Sequence, residues 1–147
     1  SLRPIQSPKL FLEYAKLWSD EIKPTGIRLI LYLTWARRAT PEKQAAYTEI
    51  YRKAAKECGA TVAPVGEAWR TVREDKPGIE LFAPDGSHPS QAGSYLAACV
   101  FCAVITGRSP LGLPRQLPLA RIDLKPGDAR FLQQAAEDAV KQERDWL

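Results

Sequence analysis

The sequence predicts an α/β fold with parallel strands, and three observations carry that prediction. Segments with helical and strand patterning alternate in the order helix, strand, helix, strand, helix, which is how parallel strands with crossover helices read. The run Ile27-Arg28-Leu29-Ile30-Leu31-Tyr32-Leu33 is almost continuously apolar, the pattern of a strand buried on both faces. Pro64 lies in the second strand-like run and cannot donate to a ladder, which assigns that run to a sheet edge. The first strand therefore wants a neighbour on each side, and this chain supplies one. A two-stranded parallel sheet is a poor folding unit. The chain reads as the C-terminal half of a doubly wound domain, its other strands coming from chain before Ser1 or from another subunit.

Each element has its own signal. Ser7-Pro8 predicts a helix start, with Leu10, Phe11, Tyr14, Leu17, Trp18 and Ile22 recurring at helical spacing until Pro24-Thr25-Gly26. Thr40-Pro41-Glu42 opens a second helix whose inner face is Ala46, Ile50, Tyr51, Ala54 and Cys58, closed by Gly59. Thr61 to Val65 reads as the short edge strand, and Gly66 to about Glu74 as a short helix. Ser94 to Thr106 is apolar nearly all round and predicts a buried helix. From Ser109 to Pro126 proline and leucine suggest an arm over the surface. A last amphipathic helix, with Phe131, Leu132, Ala135, Ala139 and Val140 on one face, ends near Trp146.

Bulk properties narrow the function. A chain of 147 residues, 45% hydrophobic, can bury a core of its own. The formal charge of +4 is spread along helices with acids interleaved, so there is no stripe to track phosphates and nucleic acid is not an expected partner. No apolar run approaches the roughly 20 residues of a membrane span. Ser1-Leu2-Arg3-Pro4 resembles neither an initiator region nor a signal peptide, so the chain reads as processed or as a piece of something longer, of unassigned location. Cys58, Cys99 and Cys102 give no disulfide framework, and Cys99 and Cys102 read as small core residues. One histidine without paired ligands argues against zinc, and no cofactor is expected.

That histidine, His88, stands in Asp85-Gly86-Ser87-His88-Pro89-Ser90, three residues after an aspartate and at the mouth of a helix. A turn with this spacing can aim the carboxylate at one ring nitrogen and leave the other free to take a proton from a serine or a water. Ser87 and Ser90 beside it fit turn and capping roles. Trp35, Arg37 and Arg38 follow the C-terminal end of the first strand, the side on which open α/β sheets bind ligands. Trp35 is expected either to wall a substrate pocket or to pack in the core, and the arginines either to meet an anionic substrate or to be solvated. Trp18, Trp69 and Trp146, on helices, are expected to pack.

The Asp85 to Ser90 run, followed by Ala92-Gly93 and a buried helix, resembles the last conserved block of SGNH (GDSL-type) hydrolases. Val62-Ala63-Pro64-Val65-Gly66 and Leu31-Tyr32-Leu33-Thr34-Trp35 also resemble bacterial members. The resemblance covers roughly residues 1 to 110, and residues 111 to 147 read as an arm and helix packed on the same domain. It implies a flavodoxin-like three-layer α/β/α fold, of which only the C-terminal strands lie in this chain. It also implies hydrolysis of acyl esters on small molecules or carbohydrates, with His88 as general base and Asp85 orienting it. The family's nucleophilic serine, in its Gly-Asp-Ser or Gly-Asn-Ser setting, is absent, as are its oxyanion-hole blocks. None of Ser1, Ser7, Ser19, Ser87, Ser90, Ser94 or Ser109 sits at a glycine-flanked strand-to-helix turn. The chain alone is therefore expected to be inactive or nearly so. The alternative is a non-catalytic remnant or interaction module, completed by self-association or by a partner chain.

Overall fold

A computed structural model describes residues 4–118 and 122–146. Helix α1 (Pro8–Ile22) begins with Pro8 at its first position, where a missing N–H is harmless, and gives way to a 3₁₀ turn ending at left-handed Gly26. Strand β1 (Ile30–Tyr32) follows, then α2 (Gln44–Cys58), which stops where Gly59 adopts φ 64°. Strand β2 (Thr61–Ala63) runs parallel to β1, with Ile30 opposite Thr61 and Tyr32 opposite Ala63. Pro64 then ends the ladder and α3 (Val65–Asp75) starts at once. Helix α4 (Gln91–Thr106) lies between the Asp85–His88 turn and Gly107. The arm holds a small antiparallel ribbon, β3 (Gln116–Leu117) with β4 (Ile122–Asp123), and the chain closes with α5 (Pro126–Trp146).

The fold is mixed α/β, but the flavodoxin-like three-layer sheet does not hold. Sheet structure among the described residues is two ribbons of two strands each, the parallel one only three residue pairs long, and helices carry the architecture. The reason lies at both ends of the expected first strand. Ile27 is 64% exposed and outside any ladder, and β2 offers only three residues before Pro64, so the largely apolar run of seven pairs over three. So short a ribbon cannot act as a layer.

The main core is helical. Trp69 and Val72 of α3, Tyr95, Leu96 and Val100 of α4, and Leu132 and Ala136 of α5 pack together with Leu81 and Phe82 from the segment before the turn. A smaller cluster, Leu33, Ala55, Ala60 and Val62, seals the ribbon against α2. Gln133, buried on α5, ties the arm down: its amide donates to the Tyr95 hydroxyl (2.6 Å) and the Leu113 carbonyl (2.9 Å) and accepts from Gly112 N–H (2.9 Å). Burying an amide is tolerable here because its polar atoms are satisfied.

Two expected faces come out differently. On α2 the buried positions are Gln44, Thr48, Ala54 and Ala55, whereas Ala46 is exposed. On α1 only Ala15 and Ser19 are buried, and Leu10, Tyr14, Leu17 and Trp18 form an exposed apolar stripe, Trp18 reaching 64%. Trp18 is thus not a packing residue in this chain, while Trp69 is. Trp146 is half exposed, with the Arg52 guanidinium 4.8 Å above its ring. Among the described residues no helix is long and apolar enough to cross a membrane.

Candidate active site

The segment from Leu81 to Ser90 is a narrow loop stapled at its neck. Phe82 bridges Pro89, Ala83 N–H donates to the His88 carbonyl (2.8 Å), and Ser90 N–H donates to the Leu81 carbonyl (2.8 Å). Inside the neck, one Asp85 carboxylate oxygen accepts from Ser87 N–H and His88 N–H, both at 2.9 Å, the aspartate-centred turn that this residue type favours. Gly86 makes the bend with φ 67°, and its carbonyl accepts from Arg38 N–H (3.0 Å). Ser90 caps α4, its hydroxyl accepting from Gly93 N–H (3.2 Å) and donating to the Glu80 carbonyl (2.7 Å). Gly93 follows because a side chain there would run into the Leu81 carbonyl and the Trp69 ring.

The second Asp85 oxygen meets His88 Nδ1. This contact, together with the Ser87 and His88 amides, holds the Asp85 carboxyl well below the usual carboxylate range. With Asp85 ionised, Nδ1 is the donor of the pair, which in the neutral tautomer leaves Nε2 as the acceptor. The imidazole is 79% exposed, and among the described residues no hydroxyl hydrogen-bonds to Nε2. Ser87 and Ser90 serve the turn and the cap, so the structure brings His88 and Asp85 together, and among the described residues no nucleophile stands beside them.

Trp35 holds this turn from the side. Its indole N–H donates to the Ser87 carbonyl (3.0 Å), and its ring lies flat on Trp69, 4.0 Å away at 3° between planes. Trp69 in turn meets Phe82 edge-on at 4.8 Å. An aromatic stack thus runs from the core to the back of the loop, and Trp35 also lines a groove beside Ser87. Arg37 lines the same groove. Arg38 points elsewhere: it pairs with Glu80 at 2.9 Å, lies 5.2 Å over the Phe82 ring, and packs on Gly86.

Reading the residues alone missed Gln44 and Lys43. Buried Gln44 accepts from Ala36 N–H (2.8 Å) and donates to the Thr34 carbonyl (3.3 Å), fixing the strand-to-loop exit on which Trp35 and Arg37 stand. Lys43 borders the groove from the start of α2. The only available signal was the proximity of both to Thr40-Pro41, which marks a helix start but not which way the chain folds back. Among the described residues no group of three or more His, Cys, Asp or Glu is placed to hold a metal ion.

Comparison with known proteins adds the fold and little else. No family model matches the sequence, and no curated protein matches it. A solved structure is similar. It is a DUF4886 family protein from Bacteroides uniformis ATCC 8492, with a TM-score of 0.63 and 24% sequence identity over 78% of this chain. At that identity the likeness speaks for the fold alone. The matched part is 48% of that protein's chain, so this chain spans about half its length.

Proposed function

We propose that this chain carries the acid–base half of an SGNH-type serine hydrolase acting on acyl esters of small molecules or carbohydrates. The observation that supports the reading best is the hydrogen-bonded Asp85–His88 turn with its exposed imidazole. In the reaction His88 takes the proton of a serine hydroxyl as the oxygen attacks the ester carbonyl, then returns it to the departing alcohol. Asp85 keeps the imidazole in the required tautomer and stabilises its charged form. The serine and the oxyanion donors lie outside residues 1–147. Residues 1–147 alone are expected to hydrolyse 4-nitrophenyl acetate no faster than their His88→Ala variant. The protein as its gene encodes it is expected to hydrolyse the ester and to lose at least about 10³-fold on the same substitution. Full activity of that variant would sink the reading.

A second reading, an interaction module, is favoured by a separate observation. The Leu10, Tyr14, Leu17 and Trp18 stripe of α1 is exposed, and β1 pairs on one side only, so the backbone polar groups of Ile30 and Tyr32 face away from β2. Self-association through the α1 stripe predicts a sedimentation coefficient that rises with concentration and returns to the monomer value in Leu17→Glu/Trp18→Glu. A chain that stays monomeric at all concentrations argues against it.

A further inference from the structure

The groove beside Ser87 has a charge pattern of its own. It encloses about 770 Å³, within the range of small-molecule sites. Its lining contains two cations, Arg37 and Lys43, and no carboxylate. Neither cation forms an ion pair with any described residue. In the groove formed with α3, by contrast, Arg70 is bound to Glu67 and Glu74. Two cations left unneutralised in one concavity hold it at positive potential, and an anionic group entering it gains charge-assisted hydrogen bonds.

The remaining lining says what kind of anion. Phe11, Trp35 and Tyr51 give flat apolar faces, Phe11 and Tyr51 lying 4.9 Å apart and tilted by 50°. Thr40 and Ser87, which carry hydroxyls, line the same groove. Burial pushes the Tyr51 hydroxyl up to about 12, helped by Tyr47 and Tyr32, so it stays a neutral donor. Rings to stack on, hydroxyls to bond and cations without acids match a sugar ring that bears a carboxylate.

The geometry points to a binding site for acidic carbohydrate, in which Arg37 and Lys43 take the carboxylate and the aromatic walls take the pyranose ring. The inference deepens the esterase reading and rests on it in one respect: Ser87 and the Trp35–Ser87 bond place the groove against the His88 turn, so an acylated uronic acid bound there is the substrate class the turn would serve.

The test is a binding measurement that needs no turnover. Isotope-labelled chain is titrated with glucuronic acid and, separately, with glucose, and the backbone amide signals of Lys43, Thr40 and Ser87 are followed by NMR. Saturable shifts are expected with glucuronate and not with glucose at equal concentration. Binding is expected to weaken at least about tenfold in Arg37→Ala/Lys43→Ala, whose spectrum away from the groove stays that of the parent. No saturable shift with glucuronate, equal binding of glucose, or undiminished binding by the double variant would each overturn the proposal. Running the titration in His88→Ala separates the two ideas. Binding that persists there supports the site whatever the esterase test returns, and His88-dependent hydrolysis without glucuronate binding removes the substrate class alone.

Discussion

Asp85 performs two tasks with one carboxylate. One oxygen organises the turn through two backbone amides, and the other meets the imidazole. Asp85→Asn separates them, because an asparagine carbonyl still accepts from Ser87 and His88 while the negative charge is gone. In the gene-encoded protein this variant is expected to keep its fold and lose about 10⁴-fold in kcat, the size of loss that follows when a triad histidine is left in the wrong tautomer. The pH dependence has a definite sign. A carboxyl whose folded value lies below its ordinary value of about 3.9 contributes stability at every pH above that value, and the contribution fades only as pH falls through the lower folded one. The Asp85 carboxyl is therefore expected to remain unprotonated from neutrality down to about pH 4, read from its carboxyl carbon signal. A step of the full size of carboxyl protonation above about pH 5 would contradict the pairing.

Helix α4 shows how an element positions a site. Ser90 caps it, Gly93 lets it approach the Leu81 carbonyl and the Trp69 ring, and the loop that ends at Ser90 is held in the same contact. Gly93→Ala is expected to lower stability by about 1 to 3 kcal/mol in urea denaturation, the usual result of overpacking where backbone blocks relaxation. An unchanged midpoint would show that α4 is not seated so closely. Local signals made this element legible in the sequence: the Asp-to-His spacing, the Ser cap and the Gly stop at 107 are all contacts within a few residues. The ribbon was not. The seven residues from Ile27 to Leu33, all apolar but Arg28, look the same whether they pair over seven positions or three, and only the chain across the ladder decides. The stripe on α1 misled for a related reason, since helical spacing marks an apolar face without saying what covers it. Gln44 and Thr48 were invisible as buried residues because what permits their burial, bonds to Ala36 and Thr34 or to Glu67, is tertiary.

At the scale of the molecule, one ion pair joins parts of the chain far apart in sequence. Arg52 on α2 grips Glu143 on α5 through two nitrogens, at 3.0 and 2.8 Å, and Glu143 is 3% exposed. Removing one partner of so enclosed a pair leaves the other charge without compensation. Glu143→Ala is expected to cost about 3 kcal/mol in urea denaturation, near the lower end for such pairs because Arg52 keeps some contact with solvent. The double change Arg52→Met/Glu143→Leu, which leaves no charge behind, is expected to recover most of that loss. A double variant as weak as the single one would show that packing rather than charge joins α2 to α5.

The stacked tryptophans have a kinetic consequence. Trp69 Nε1 is buried and has no hydrogen-bond partner among the described residues, whereas Trp35 Nε1 is tied to the Ser87 carbonyl. These two indole protons sit in rings 4.0 Å apart yet answer to different openings in deuterium oxide. The Trp35 proton exchanges when the loop lets go of its anchor, a local event. The Trp69 proton, sealed by packing alone, waits until the core itself comes apart. The ratio of the two rates measures how far the His88 turn can detach while the rest of the molecule stays folded.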